Sequence, residues 1–267
     1  MSKPARQECG GRPHPGAEVQ SFYHLNGCSL AGKFCSGAAC FVARHLNPGR
    51  WRQAEIQQPR VYCLGQCHSA PAAAGPAPRP QVGIRSRQPV VLERVATGGV
   101  RALHEYVSRG GYRALEKAVA MEPSEVVDTI ELSALRGRGG AAFPTGRKWR
   151  AVLGRGALSK YVIANADEGD PGAYIDRFLM EDDPFALLEG MTVAGRAVGA
   201  AKGWIYLRAE YPAARPVLEA AIAEARNAGL LGNRILGHAF SFDVEVFVGQ
   251  GSYICGEETA LIRSLEG

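Results

Sequence analysis

Along the 267-residue chain the spacing of apolar positions changes repeatedly, and each change predicts an element. Residues 111–119 and 125–135 alternate apolar and charged side chains at helical spacing, with Pro123 and Ser124 as a start signal between them. Residues 160–165 form a short apolar run that predicts a buried strand, and residues 204–207 and 242–248 predict two more. Between the strands lie two helical patterns. Residues 185–199 place Leu188, Met191 and Val198 on one face behind Pro184; residues 213–228 align Leu218, Ile222 and Ala225, with Gly229 as the C-cap. A last helix is predicted over 257–265. The resulting β-α-β-α-β-α order predicts an α/β fold, a mostly parallel sheet covered by helices. No internal repeat is present.

The N-terminal third is built differently. Six of the seven cysteines (Cys9, Cys28, Cys35, Cys40, Cys63 and Cys67) precede residue 68, and only Cys255 lies beyond. Residues 70–80 hold four prolines and five alanines, which excludes a helix or a central strand and predicts a semi-rigid linker or an irregular edge. A boundary near residue 88 therefore divides the chain into 1–88 and 89–267.

Composition narrows the class. With 46% hydrophobic and 21% charged residues the chain can bury a core, so disorder throughout is excluded. No run of about 18 uncharged apolar residues is present, and residues 1–16 lack the apolar stretch of a secretory signal. The expectation is a cytoplasmic protein with no direct membrane insertion. The net charge of +5 is mild and scattered, which argues against nucleic acid. Its arginines cluster among glycines, a setting suited to small anions such as phosphate.

Three segments carry candidate chemistry. In residues 135–149, Gly137, Gly139 and Gly140 let backbone N–H groups approach a phosphate, Arg138, Arg147 and Lys148 supply positive charge, and Phe143 offers a flat face for stacking. Neither standard phosphate-loop fingerprint fits, and a solvated loop remains the alternative. Directly after the first strand come Asn165, Asp167, Glu168 and Asp170. Carboxylates at a strand's C-terminal end lie where α/β sheets bind ligands, and they repel one another unless a metal or a nucleotide uses them; a solvated turn is the alternative. After the third strand, Gly256, Glu257 and Glu258 open a helix. There the alternative is helix capping, since negative charge suits that helix end.

Residues 135–149, 165–176 and 249–267 together resemble the NADH-binding flavoprotein subunit of respiratory complex I, with its relatives in NAD-reducing hydrogenases and NAD-dependent formate dehydrogenases. The resemblance covers about residues 89–267. It implies a Rossmann-like domain that binds FMN and NAD(H) and moves a hydride between them. Gly137, Arg138, Gly139, Gly140 and Lys148 would cradle the FMN phosphate and ring, with Asn165, Asp167, Glu168, Gly256, Glu257 and Glu258 as its other contacts. Phe143 would stack on the dinucleotide, Asp170 would lie on the NADH side, and Glu168 would act at the catalytic centre by setting the approach of NADH. Ala151 stands where many members carry a second stacking aromatic, and the wording of 161–176 and 204–212 is nearer the formate dehydrogenase branch.

Cys35 and Cys40, four residues apart in the gap, and Cys63 and Cys67, three apart, form two close thiol pairs that suit an iron-sulfur cluster or zinc. Residues 62–71 resemble the second half of the thioredoxin-like 2Fe-2S domains that accompany this flavoprotein family, with a shortened gap between the pairs. That resemblance implies a 2Fe-2S cluster on the four cysteines; a metal-free domain is the alternative. Cys28 is a rival first ligand, and His68 reads as a loop histidine.

The expectation is an electron-entry flavoprotein working with other subunits of an NAD-linked oxidoreductase. The rivals are a truncated non-catalytic paralogue that binds FMN or assists assembly, and a zinc-stabilised interaction module. Relatives continue into a region with four cysteines for a 4Fe-4S cluster, whose ligands are absent from this chain, so a fragment or half of a split subunit is expected.

Overall fold

Cys35 sits in one of two very short strands that pair in parallel: β1 (Phe34–Cys35) matches β2 (Arg60–Val61) in register, and α1 (Ala38–Leu46) follows β1. The computed structural model describes residues 32–46, 48, 60–61, 63–73, 79–170, 172–249 and 252–267. Cys9, Cys28 and positions 74–78 of the proline-rich segment lie outside the described residues. Residues 72–73 of that segment form an edge. The Cys35 N–H donates to the Ala72 carbonyl at 3.0 Å, and Ala73 bridges Phe34 in the antiparallel sense. Cys35, Cys40, Val61, Leu64 and Ala72 make a small core of their own.

The remainder begins with α2 (Glu93–Ala96), α3 (Leu103–Ser108), α4 (Arg113–Ala120), α5 (Pro123–Leu132) and α6 (Thr145–Leu153). Pro123 occupies the first turn of α5, and Glu122 and Glu125 form a capping box there. The sheet follows: β3 (Tyr161–Ala166), then α7 (Ile175–Asp182) and α8 (Pro184–Val198), then β4 (Lys202–Leu207), α9 (Ala214–Asn227), β5 (Asp243–Val248) and α10 (Glu258–Glu266). All three strands are parallel in the order β3-β4-β5, as the alternation of elements predicts.

Alternation along the strands divides the sheet into two faces. Val162, Ala164, Ile205, Leu207, Val244 and Val246 join the main core with Phe185, Leu188 and Met191 of α8 and Leu218 and Ile222 of α9. On the other face Ile163, Tyr206 and Phe247 pack with Cys255 and with Leu261 of α10. The strands run in step, so Ala166, Leu207 and Val248 form one rung at the C-terminal edge. Asp167, Arg208 and Gly249 are consequently the first residues beyond three adjacent strand ends.

Helices α1, α2, α3, α6 and α7 go beyond the sequence expectation, and α6 and α7 show why. Residues 137–146 are glycine-rich, yet Thr145 and Gly146 already belong to α6. Gly146 faces Glu131 of α5 so closely that an added Cβ would lie 2.4 Å from the Glu131 Cγ, so a tertiary approach, not helix propensity, places a glycine there. Helix α7 lies in a stretch without a strong local start signal, and its N-terminus is instead satisfied by a side chain from the β3 turn. At its other end Glu181, Asp182 and Asp183 are buried and neutralised. Arg79 donates twice to Asp182 at 2.8 and 2.6 Å, Arg101 pairs with Asp182 at 2.7 Å, Arg94 with Asp183 at 2.7 Å and Arg177 with Glu181 at 2.8 Å. The pairs from Arg79, Arg94 and Arg101 tie residues 79–101 to the α/β core.

Candidate functional site

Glycine-rich residues 137–143 form a closed loop. The Gly137 N–H donates to the Phe143 carbonyl at 2.9 Å, the Thr145 N–H to the Leu135 carbonyl at 2.9 Å, and Arg136 reaches across to the Ala142 carbonyl at 3.1 Å. Its tip is open: nothing lies within 4 Å of where a Cβ would stand on Gly139 or Gly140, and Phe143 is 52% exposed. Arg138 is exposed as well. One turn into α6, Lys148 approaches Glu258 at the start of α10, with Nζ to Oε2 at 3.8 Å.

The β3 and β5 ends meet beside it. Asn165 donates its side-chain amide to the Gly256 carbonyl at 2.7 Å, and Gly256 lies against Asp167, where a Cβ would come within 3.3 Å of the Asp167 carbonyl. Lys148, Asn165, Asp167, Gly256, Glu257 and Glu258 are thus gathered at one sheet edge. The tip residues Arg138, Gly139 and Gly140 stand apart in solvent, joined to this group through α6.

The acidic turn resolves into three different environments. Glu168 turns towards the protein: its carboxylate accepts from the backbone N–H groups of Asp176 at 3.1 Å and Arg177 at 3.4 Å, and from the Tyr211 hydroxyl at 3.0 Å. It therefore caps α7 from outside the helix, which relieves the repulsion that the sequence alone leaves open. Asp170 is exposed and accepts from the Tyr253 hydroxyl at 3.0 Å. Asp167 is 8% exposed, and its Oδ2 has no hydrogen-bond partner among the described residues. Burial pushes its carboxyl up to about 6, against a weaker opposing pull from Arg208. Glu257 accepts from the Ala260 N–H at 3.0 Å, so the capping alternative describes what it does here.

Cys35, Cys40, Cys63 and Cys67 converge. Thiol hydrogen bonds link Cys35 to Cys40 and Cys63, and Cys63 to Cys67. Cys35 is held down by accepting from its two neighbours, while Cys40 and Cys63 are pushed up by donating to it. Backbone N–H groups also reach the sulfurs: Gly65 to Cys63 Sγ and Ala72 to Cys40 Sγ, both at 3.3 Å. Among the described residues no three ligating side chains surround a single ion position. A 2Fe-2S centre does not require that, because each iron takes two thiolates.

Sequence reasoning missed the residues that join the two halves. A cavity of about 500 Å³ lies between them, lined from one side by Cys63, Gly65 and Cys67 and from the other by Asp167, Arg208 and Tyr211. Gly65 abuts Glu210, and His68 meets the Tyr174 ring edge-on at 5.4 Å, so His68 is a contact residue of a short 3-10 turn. The signal was available: Arg208 follows β4 as Asp167 follows β3.

A family model described as Nuo51 FMN-binding domain matches residues 130–267. The chain is 48% identical over 189 residues to an NADH-quinone oxidoreductase subunit of Aquifex aeolicus, covering 70% of this chain and 44% of that protein. It is 42% identical over 230 residues to the alpha subunit of the NAD-reducing hydrogenase HoxS of Cupriavidus necator, covering 85% of this chain and 36% of that one. A crystal structure of an NAD+-reducing NiFe hydrogenase in the air-oxidised state superposes with a TM-score of 0.62 at 29% identity, over 94% of this chain and 49% of that chain. The chain spans less than half the length of each of these relatives. No described helix is long and apolar enough to cross a membrane. With the family model matching just over half of its residues, the chain belongs to the Nuo51 FMN-binding domain family, that of the NADH-binding FMN subunits.

Proposed function

We propose that this chain is the electron-input flavoprotein part of a multi-subunit NAD-linked oxidoreductase, binding FMN and NAD(H) at the β3–β5 edge and a 2Fe-2S cluster at its four N-terminal cysteines. The observation that carries the flavin reading is Asp167 Oδ2, a buried acceptor without a hydrogen-bond partner among the described residues, just beyond the C-terminal end of a parallel strand. A donor N–H on a ligand would satisfy it. FMN bound there would supply the chemistry of a hydride acceptor that can also exchange single electrons.

The protein's part is to bind and orient. Gly139 and Gly140 leave the space in which backbone can meet a phosphate, and Arg138 and Lys148 neutralise its charge. Asn165 and Gly256 fasten the two strand ends on which the ring would rest, Glu257 and Glu258 flank it, and exposed Phe143 offers a stacking face for the dinucleotide. Asp170 and Glu168 border the NADH side, with Glu168 fixed by α7 and Tyr211. For the cluster, the converging thiols and two N–H to sulfur bonds are the supporting fit. This reading keeps two units, 1–88 and 89–267, and leaves the terminal donor or acceptor (formate, hydrogen or quinone) to the partner subunits.

The test is the visible spectrum of the purified full chain after anaerobic reconstitution with FMN, iron and sulfide. Flavin bands and iron-sulfur charge-transfer absorbance, both bleached by NADH, are the expected result. Flavin that binds without bleaching would support the non-catalytic paralogue, and a colourless protein retaining zinc would support the interaction module.

A further inference from the structure

Arg208 occupies an unusual place for a cation. It is the first residue beyond β4, its side chain is only 13% exposed, and it lines the cavity shared by Cys67 and Asp167. The guanidinium is held by two neighbours. It pairs with Glu210 at 3.0 Å, donates a second bond to that carboxylate from Nε at 3.2 Å, and stacks on the Tyr211 ring with 5.0 Å to the centroid. The cysteine loop is pressed onto the same segment: Gly65, in left-handed backbone at φ +65°, lies so close that a Cβ would be 2.3 Å from the Glu210 carbonyl.

We propose that Arg208 is a positioning residue for electron transfer: its fixed charge, trimmed by Glu210, raises the reduction potential of the cluster held by Cys35, Cys40, Cys63 and Cys67. This rests on the reading of those cysteines given above. Two ferric irons with two sulfides and four thiolates carry two negative charges in total, and uptake of one electron makes three, with no proton needed for the balance. A buried cation stabilises the more negative form, and burial keeps solvent from screening it. Glu210 acts in the opposite sense. Because the cation belongs to the sheet edge and not to the cysteine unit, the potential depends on the two halves being docked.

The experiment is a dithionite titration of the full chain, with mediators, followed by electron paramagnetic resonance of the reduced cluster. Arg208→Met should lower the equilibrium constant for cluster reduction about tenfold, a shift of about 59 mV to more negative potential for one electron. Glu210→Gln should move it the other way, and Arg208→Lys should stay near wild type. A purely structural role would not give shifts of opposite sign. If Arg208→Met fails to take up a cluster, Glu210→Gln decides: a positive shift supports the proposal, and an unchanged potential overturns it. Less than a twofold change in the constant for a loaded Arg208→Met overturns it as well. A wild-type chain that takes up iron without iron-sulfur absorbance would remove the reading of the cysteines, and this proposal with it.

Discussion

The Tyr211 hydroxyl donates to Glu168 at 3.0 Å, linking the segment after β4 to the turn after β3. The same carboxylate caps α7 through the N–H groups of Asp176 and Arg177. Glu168→Gln should therefore destabilise the fold by about 1–2 kcal/mol, since a charged acceptor at a helix N-terminus is replaced by a neutral one. It should also raise the KM for NADH several-fold while leaving FMN retention intact. Urea unfolding and dye-coupled NADH oxidation check both; equal loss of FMN and activity would contradict the assignment.

Gly139→Val should fold like the wild type, because open space surrounds the position where its Cβ would stand. The added side chain would instead occupy the approach of a phosphate, and FMN affinity should fall at least tenfold, about 1.4 kcal/mol. Quenching of flavin fluorescence on titration measures this. Unchanged affinity would remove the loop from the site.

Asp167 and Asp176 are both held up to about 6, each chiefly by burial, with Glu168 adding to the shift at Asp176. Between the ordinary value of 3.8 and about 6 the folded chain binds more protons than the unfolded one. Stability should therefore fall as pH rises through that window, by up to about 1.4 kcal/mol per pH unit for each group. Asp167→Asn should flatten the dependence of the unfolding midpoint on pH; an unaltered slope would show that Asp167 does not contribute.

Glu189 in α8 is a buried carboxylate that accepts from the Tyr106 hydroxyl at 2.6 Å and from the N–H groups of Tyr112, Ala114 and Leu115 at 2.9, 3.1 and 3.1 Å. Glu189→Leu would strand all four donors, three of them at the start of α4. We expect a loss of about 3 kcal/mol or more, read from denaturant unfolding. The binding residues lie elsewhere, so FMN affinity in the remaining folded protein should not change.

Gly65→Ala should separate the cysteine unit from the sheet edge, since neither the left-handed backbone nor the Glu210 carbonyl tolerates the added Cβ. Hydrogen exchange at residues 208–211 should accelerate while the β3–β5 core keeps its protection. Wild-type exchange at 208–211 would refute the docking contact.

Much of this protein was legible in its sequence because the signals are local. Short apolar segments predicted all three core strands and helical patterns predicted α8, α9 and α10 to within a few residues, and Pro123 marked the start of α5. The cysteine spacing and the carboxylates after the strands pointed to candidate positions, and the structure brings the four thiols together and sets the carboxylates at the sheet edge. What the tertiary structure decided is how each such residue is used. Helix α7 draws its cap from Glu168, across the β3 turn, and the second residue of α6 is a glycine because Glu131 of α5 leaves no room for a Cβ at Gly146. Asp167 and Glu168 are neighbours of like charge in sequence; one ends buried with an open acceptor, the other saturated by a helix end and a tyrosine. Arg208 carries no motif at all. Parallel strands in register bring their ends to one rung, and a contact between residues 65 and 210, far apart in the chain, sets Cys63 and Cys67 on the cavity that Arg208 also lines. Local periodicity reports which face of an element is buried; it does not report which distant group will lie against it.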